Sequence, residues 1–352
     1  AKAPELPPLP RRHPRGAPRQ PGVGRPTSFG NSATLLGAES QHEEPALTLA
    51  LPRSPRAPRT IPGVTPRLRQ RLRRFFAFAT RLSPNLAARL ALEMFLRPPR
   101  RRMDAQDQPV VARAQRRAVA LGSGLVHALE WTPEAAAPRS PRPAVLLLHG
   151  WGSHAARFGS FVEPMLEAGW RVIAIDAPAH GESTGRHSDL AQFRGALAAA
   201  LDELGPVQSI VAHSLGAAAA VWLLADEPHR DVRSLVAVGM PRDVGYMMES
   251  FTLILGLRED VCCELRRQFV RRFGIVPESF SAHALAAKLQ LPTMVVHDED
   301  DDVAPLEHAR AFATGLGRGR LSITQGLNHS GPLRDARTIA NIVAFVGEHV
   351  TA

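Results

Sequence analysis

The apolar positions of this chain change rhythm along its length, and each change marks a region. Between residues 67 and 97, Leu68, Leu72, Phe75, Phe76, Ala79 and Leu82 recur at three- and four-residue steps, the spacing of one helix face. Ser83-Pro84 suits the start of a second helix, and Leu86, Leu90, Met94 and Phe95 continue the rhythm. From about residue 110 the pattern shortens. Runs at 115–120 and 124–131 predict a hairpin around Gly122-Ser123. Apolar runs at 144–149, 171–176, 208–212, 234–238, 293–297 and 321–324 have the length and composition of buried strands. Helical patterns at 155–168, 188–204, 215–226, 305–315 and 335–350 separate most of them.

Strands that alternate with helices predict an α/β fold, with a mostly parallel central sheet covered by helices on both faces. The interval between the runs at 234–238 and 293–297 is too long for one crossover. Two helical patterns, 243–257 and 259–273, lie inside it. They predict a small helical cap inserted at about 241–290.

Composition separates the N-terminal part from the rest. Of 31 prolines, 14 precede residue 67, and this stretch has little apolar surface. Proline removes backbone donors and helical dihedrals, so residues 1–66 are expected to form a disordered Pro/Arg-rich tail. Residues 67–103 are expected to be a basic amphipathic helical segment and linker, and 104–352 the α/β domain.

The chain has 352 residues and a formal charge of +10. Residues 1–103 carry 20 basic and 5 acidic side chains, a net +15, whereas 104–352 carry a net −5. A uniformly basic nucleic-acid-binding surface is therefore excluded, and nucleic acid is not expected as a partner. The helical segment 67–97 suits either docking on the following domain or lying on an anionic membrane surface. Cys262 and Cys263 are adjacent, hence expected as free thiols. With no long apolar span and no secretory pattern, a cytoplasmic location is expected, with contact at the inner membrane surface an open alternative.

Four polar motifs follow predicted strands, where sites form in open α/β sheets. In Ala212-His213-Ser214-Leu215-Gly216, small residues flank a serine at a strand-to-helix turn. The helix start offers unpaired N–H groups for a developing oxyanion, although a serine there can equally be a cap. In His149-Gly150-Trp151-Gly152, glycines let a backbone N–H approach a carbonyl. The run Asp298-Glu299-Asp300-Asp301-Asp302 offers carboxylates that could orient a histidine or be simply solvated. His329 lies in Asn328-His329-Ser330-Gly331, past the last strand.

With these motifs and with Asp176-Ala177-Pro178-Ala179-His180-Gly181-Glu182-Ser183, the chain resembles the α/β-hydrolase fold superfamily over about residues 110–351. Within it, the chain is similar to the small esterase and serine-aminopeptidase-like lineages with a helical cap. The resemblance implies Ser214 as nucleophile, His329 as base, and the N–H groups of Trp151 and Leu215 as the oxyanion hole. The family pattern H-G-x-x-D-x-x-x-P, laid on His297 and Pro305, places the acid at Asp301. Asp298 stands where that pattern has Gly. Asp300 is the fallback acid and Asp243 a remote second option. The implied reaction is hydrolysis of a carboxylic ester through an acyl-enzyme, on a small-molecule acyl substrate and with no metal or organic cofactor. A thioesterase, acyltransferase or amidase on the same triad remains open, as does a catalytically silent scaffold or a membrane-associated binding protein. Tyr246, Met247, Met248, Phe251, Leu253, Ile254 and Leu255 are expected either to line an acyl pocket or to pack the cap.

Overall fold

A computed structural model describes residues 65–134 and 142–350. The tail expected over 1–66 falls outside these residues, apart from its last two. Helix α1 (Pro66–Leu82) starts with Thr65 Oγ1 accepting from the N–H of Leu68, and with proline at its first position. Ser83 ends it in an extended conformation and at once caps α2 (Pro84–Phe95), its Oγ accepting from Leu86 N–H. One serine thus terminates one helix and starts the next.

A short α3 (Gln108–Ala112) leads into β1 (Gln115–Leu121) and β2 (Gly124–Trp131), an antiparallel hairpin with Leu121 opposite Gly124. Then follow β3 (Ala144–Leu148), α4 (Gly159–Glu167), β4 (Arg171–Ile175), α5 (Leu190–Leu204), β5 (Val207–His213), α6 (Leu215–Asp226) and β6 (Ser234–Val238). Helices α7 (Val244–Leu255), α8 (Glu259–Phe273) and α9 (Ala282–Ala286) fill the long interval before β7 (Thr293–Asp298). The chain closes with α10 (Leu306–Thr314), β8 (Gly319–Thr324) and α11 (Ala336–Gly347).

The eight strands lie in the order β1-β2-β4-β3-β5-β6-β7-β8. Pairs β1/β2 and β2/β4 are antiparallel, and every pair from β4 to β8 is parallel. The chain steps from β3 outward to β4, then crosses back to β5 on the other side of β3. That reversal opens a crevice beyond the carboxyl ends of β3 and β5, the place where open α/β sheets carry sites.

Strand β3 is buried along its whole length, which its unbroken apolar run requires. Ala144, Leu146 and Leu148 face a cluster shared with α5, α6, α9 and α10. Val145 and Leu147 point the other way, into a cluster with α4 and α11. Burying each such Leu or Val side chain is worth about 1.5–3 kcal/mol.

A third apolar cluster lies above the sheet. Phe76 and Ala79 of α1 and Ala87, Ala88, Ala91 and Leu92 of α2 pack on Met248, Phe251 and Leu255 of α7 and Val261, Leu265 and Phe269 of α8. Three alanines on α2 let its backbone come close to α8. Asn85 Nδ2 donates to Glu264 Oε1 at 3.2 Å, and Arg272 pairs with Glu93 at 2.8 Å. Arg73 Nε donates to the Ile254 carbonyl at 2.8 Å. Helices α1 and α2 therefore join α7 and α8 in one lid, although more than a hundred residues separate the two pairs in sequence. Beyond α2, Arg100 ties the chain to the domain by donating to the carbonyls of Gly181, Ser183 and Gly185.

Candidate active site

Ser214 sits between β5 and α6 with φ 53° and ψ −121°, a conformation that side-chain-bearing residues rarely adopt. Its N–H donates to the Val238 carbonyl at 2.8 Å, which pins the turn to β6. Close neighbours hold it from the other side. A Cβ on Gly150 would stand 2.7 Å from the Ser214 Cβ, and a Cβ on Gly216 would collide with the His149 and Leu148 carbonyls. Ala212, in place of the usual glycine, is fully buried without strain in β5. Leu215 is the first residue of α6, where the backbone N–H has no partner within the helix.

The loop carrying Trp151 is fixed by two buried histidines. Gly152 has φ 65°, and its N–H donates to His180 Nε2 at 2.9 Å. His180 Nδ1 in turn donates to the Pro178 carbonyl at 2.9 Å. Ala177 N–H donates to His149 Nε2 at 3.0 Å, while His149 Nδ1 donates to the Gly150 carbonyl at 2.7 Å. Each imidazole must be neutral to accept at Nε2. Burial enforces this, lowering His149 to about 4 and His180 to about 3. Asp176 completes the scaffold, accepting from Ala155 N–H at 2.7 Å and Glu182 N–H at 2.9 Å.

The acid and base expected from sequence come together. His329 Nδ1 donates to Asp301 Oδ2 at 2.8 Å, which leaves Nε2 free to take a proton. The other oxygen, Asp301 Oδ1, accepts from the N–H groups of Val303 and Ala304, both at 2.8 Å. Burial raises the Asp301 carboxyl, but the His329 hydrogen bond and the nearby His329 and His297 rings outweigh it and hold the carboxyl below its usual range. The fallback acid Asp300 is exposed, and its carboxylate accepts from Gly326 N–H. Asp243 caps α7, taking Tyr246 N–H at 2.6 Å and Arg242 Nε at 3.0 Å.

Two residues support this pair in roles that the sequence did not indicate. Asp298 is buried and accepts four hydrogen bonds. Oδ1 takes Asp300 N–H (3.1 Å) and Asn328 N–H (2.9 Å), and Oδ2 takes Thr324 Oγ1 (2.8 Å) and Leu327 N–H (3.1 Å). It thus clamps the loop bearing Asp301 to the loop bearing His329. His213 Nε2 donates to the His329 carbonyl at 2.9 Å, with the two rings 4.7 Å apart. Burial lowers His213 to about 3 and keeps it neutral. The sequence marks Asp298 as standing in place of the pattern's Gly, but as one acid among five in a row it carries no sign of the clamp.

Ser214 and His329 open on a cavity of about 690 Å³, as do Trp151 and Leu215. Its roof includes Leu72 and Phe95 from the first two helices and Phe273 from α8. Of the cap residues expected at a pocket, Tyr246, Met247, Phe251 and Ile254 line this cavity. Met248 and Leu255 are buried in the lid, and Leu253 is exposed. Among the described residues no cluster of three or more His, Cys, Asp or Glu is disposed to hold a metal ion.

Residues 143–258 match the alpha/beta hydrolase fold family. The chain is 33% identical over 105 residues to the dihydrolipoyllysine-residue acetyltransferase component of the acetoin cleaving system of Cupriavidus necator, a match covering 29% of this chain and 27% of that protein. It is 39% identical over 92 residues to a pimeloyl-[acyl-carrier protein] methyl ester esterase of Neisseria meningitidis, covering 26% of this chain and 34% of that one. The chain thus spans about a third or less of the length of these two relatives. Among solved structures, an esterase of Pyrococcus furiosus superposes with a TM-score of 0.56 at 16% identity, over 72% of this chain and all of that one.

Proposed function

We propose, from the match of residues 143–258 to the alpha/beta hydrolase fold family, that the chain hydrolyses a carboxylic ester through an acyl-enzyme formed on Ser214. The observation that carries this is the 2.8 Å bond from His329 Nδ1 to Asp301, in the same cavity as a serine held at positive φ. His329 Nε2 takes the Ser214 proton as Oγ attacks the ester carbonyl. Asp301 fixes the tautomer and stabilises the imidazolium. The N–H groups of Trp151 and Leu215 receive the oxyanion. His329 then protonates the departing alcohol, and water repeats the sequence on the acyl-enzyme. These steps need no metal or organic cofactor.

The cavity is lined mainly by apolar side chains, which favours an acyl chain over a charged amide substrate. A thioester is the second reading on the same residues. A cytoplasmic location accompanies this reading, in keeping with free Cys262 and Cys263. None of the described helices is long and apolar enough to cross a membrane.

The test is a panel of p-nitrophenyl esters of graded chain length, with thioesters and aminoacyl amides alongside. Ester turnover that falls by at least about 10⁴-fold in Ser214→Ala, with an unchanged melting temperature, is expected. Retained turnover in Ser214→Ala, or a wild type that neither turns over nor labels with a fluorophosphonate, would sink the proposal.

A further inference from the structure

Helix α1 uses one face to pack the lid and leaves another uncovered. Phe76, Ala79 and Thr80 are buried. On the adjoining face Leu68 is 41% exposed, Phe75 49%, Phe78 62% and Leu82 66%, and Leu86 and Leu90 extend the exposed apolar surface onto α2. Leu68, Phe75 and Leu82 are spaced by seven residues, so they lie on one line along the helix. Arg67, Arg74 and Arg81 each precede one of them, so a row of guanidiniums runs along the edge of the apolar stripe, with Arg71 within it. Helix α1 has six arginines and no acidic residue. Only Arg73 is spent on the lid, bound to the carbonyls of Ile254 and Leu253. The other five have no acidic partner among the described residues.

The stripe also runs to the cavity. Leu68 both belongs to the exposed face and lines the cavity, and Ile275, just past α8, also lines the cavity and is 47% exposed. Exposed apolar surface therefore continues into the space above Ser214.

We propose that the exposed face of α1 and α2 docks on an anionic lipid bilayer, and that the substrates are esters dissolved in that bilayer, entering past Leu68. The substrate half of this inference rests on the ester-hydrolase proposal; the docking half does not. A row of arginines without an acidic partner among the described residues, beside a stripe of Phe and Leu, matches the layered chemistry of a membrane interface, phosphate outside and hydrocarbon within. A second copy of the chain fits worse, because two such faces would bring like-charged arginine rows together. The chain's own first 64 residues are also net basic and meet the same repulsion.

The experiment uses the full chain with vesicles of phosphatidylcholine alone or equimolar with phosphatidylglycerol. Binding is read by co-sedimentation, and hydrolysis with soluble p-nitrophenyl butyrate and with p-nitrophenyl palmitate held in the vesicles. The double variant Phe78→Ser, Leu82→Ser keeps every charge, the tail's included, at two mostly exposed residues outside the lid cluster. Anionic vesicles should bind the wild type, and the variant should lose at least about tenfold in binding. Palmitate ester hydrolysis should fall in proportion while butyrate turnover stays unchanged. Wild-type binding by the variant would overturn the docking, since basic charge alone would then explain attachment. Self-association of the wild type that the variant abolishes, without vesicle binding, would assign the face to a second copy. Stripe-dependent binding with unaltered palmitate ester hydrolysis would overturn delivery from the bilayer. Stripe-dependent binding with no turnover of either ester would leave the docking standing and remove the hydrolase proposal.

Discussion

At the floor of the cavity, buried carboxylates and histidines hold loops through directed hydrogen bonds; at its roof, four helices are held mostly by apolar contact. Asp298, Asp301, His213 and His180 each fix a loop atom within about hydrogen-bond length of a named partner. A lost partner there strands a buried polar group, so the geometry tolerates little change. The lid is cemented by Phe76, Leu92, Leu255 and Leu265, whose attraction is non-directional. Apolar surfaces can slide or repack at modest cost. The floor is therefore suited to holding atoms in fixed alignment, and the lid to adjusting its shape.

The largest effect is expected at Asp301, on the floor. Asp301→Asn should lower kcat for a soluble ester by about 10³–10⁴-fold, because the His329 tautomer is no longer fixed. Asp300→Asn should change it by less than about threefold, since the exposed Asp300 carboxylate accepts from Gly326 N–H and not from His329. Equal effects would mean that the 2.8 Å bond does not define the acid.

Asp298→Ala comes next. Three N–H groups and one hydroxyl, all only partly buried, would lose their acceptor, costing about 1–3 kcal/mol of stability in urea unfolding. Because both loops loosen, kcat should fall as well while KM changes little. A purely structural role would lower stability alone.

Leu255→Ala sharpens the contrast from the other side. Leu255 is fully buried in the lid, so about 2–5 kcal/mol of stability should be lost. Butyrate turnover, measured below the new melting temperature, should stay within about threefold of wild type. A drop in kcat as large as that of Asp298→Ala would show that floor and lid are one unit.

The smallest effect per group is that of acid. Burial lowers His149 to about 4 and His180, His213 and His308 to about 3, against 6.5 when exposed. Above pH 6.5 these rings are neutral in both folded and unfolded chains and contribute no slope. As pH falls below 6.5 the unfolded chain binds protons that the folded one refuses, so stability declines toward pH 3–4. Each ring accounts for at most about 1.4 kcal/mol per pH unit. The depressed carboxyl of Asp301 acts in the same direction below its ordinary value. Asp243, raised by burial, acts in the opposite direction. Urea unfolding between pH 7.5 and pH 4.5 should show the decline, shallower in His308→Gln. A flat profile would place these rings in water.

Much of the sheet was legible because each strand is a short apolar run bounded by turn residues. The expected 144–149 run is β3 and the expected 215–226 helix is α6. The order β2-β4-β3-β5 was not legible, since periodicity reports which faces are buried and not which strand lies beside which. The Ser214 turn was marked by small neighbours that a tight bend needs. Asp298 was noticed as a departure from Gly, but its clamping role was hidden, because only the folded chain brings Leu327 and Asn328 to its carboxylate.

The amphipathic segment shows the same division. Its spacing determined that residues 66–95 form two helices, with Ser83 between them as stop and start. Its arginines determined the sign of the charge they carry. Whether its apolar stripe was buried or exposed depended on what else the chain folded beside it. Tertiary structure decided both: Phe76 and Ala79 go under α7 and α8, while Phe78 and Leu82 remain outside. Local spacing fixes a helix because its hydrogen bonds close within four residues. A partner for a helix face comes from anywhere in the chain, and here it came from more than a hundred residues away.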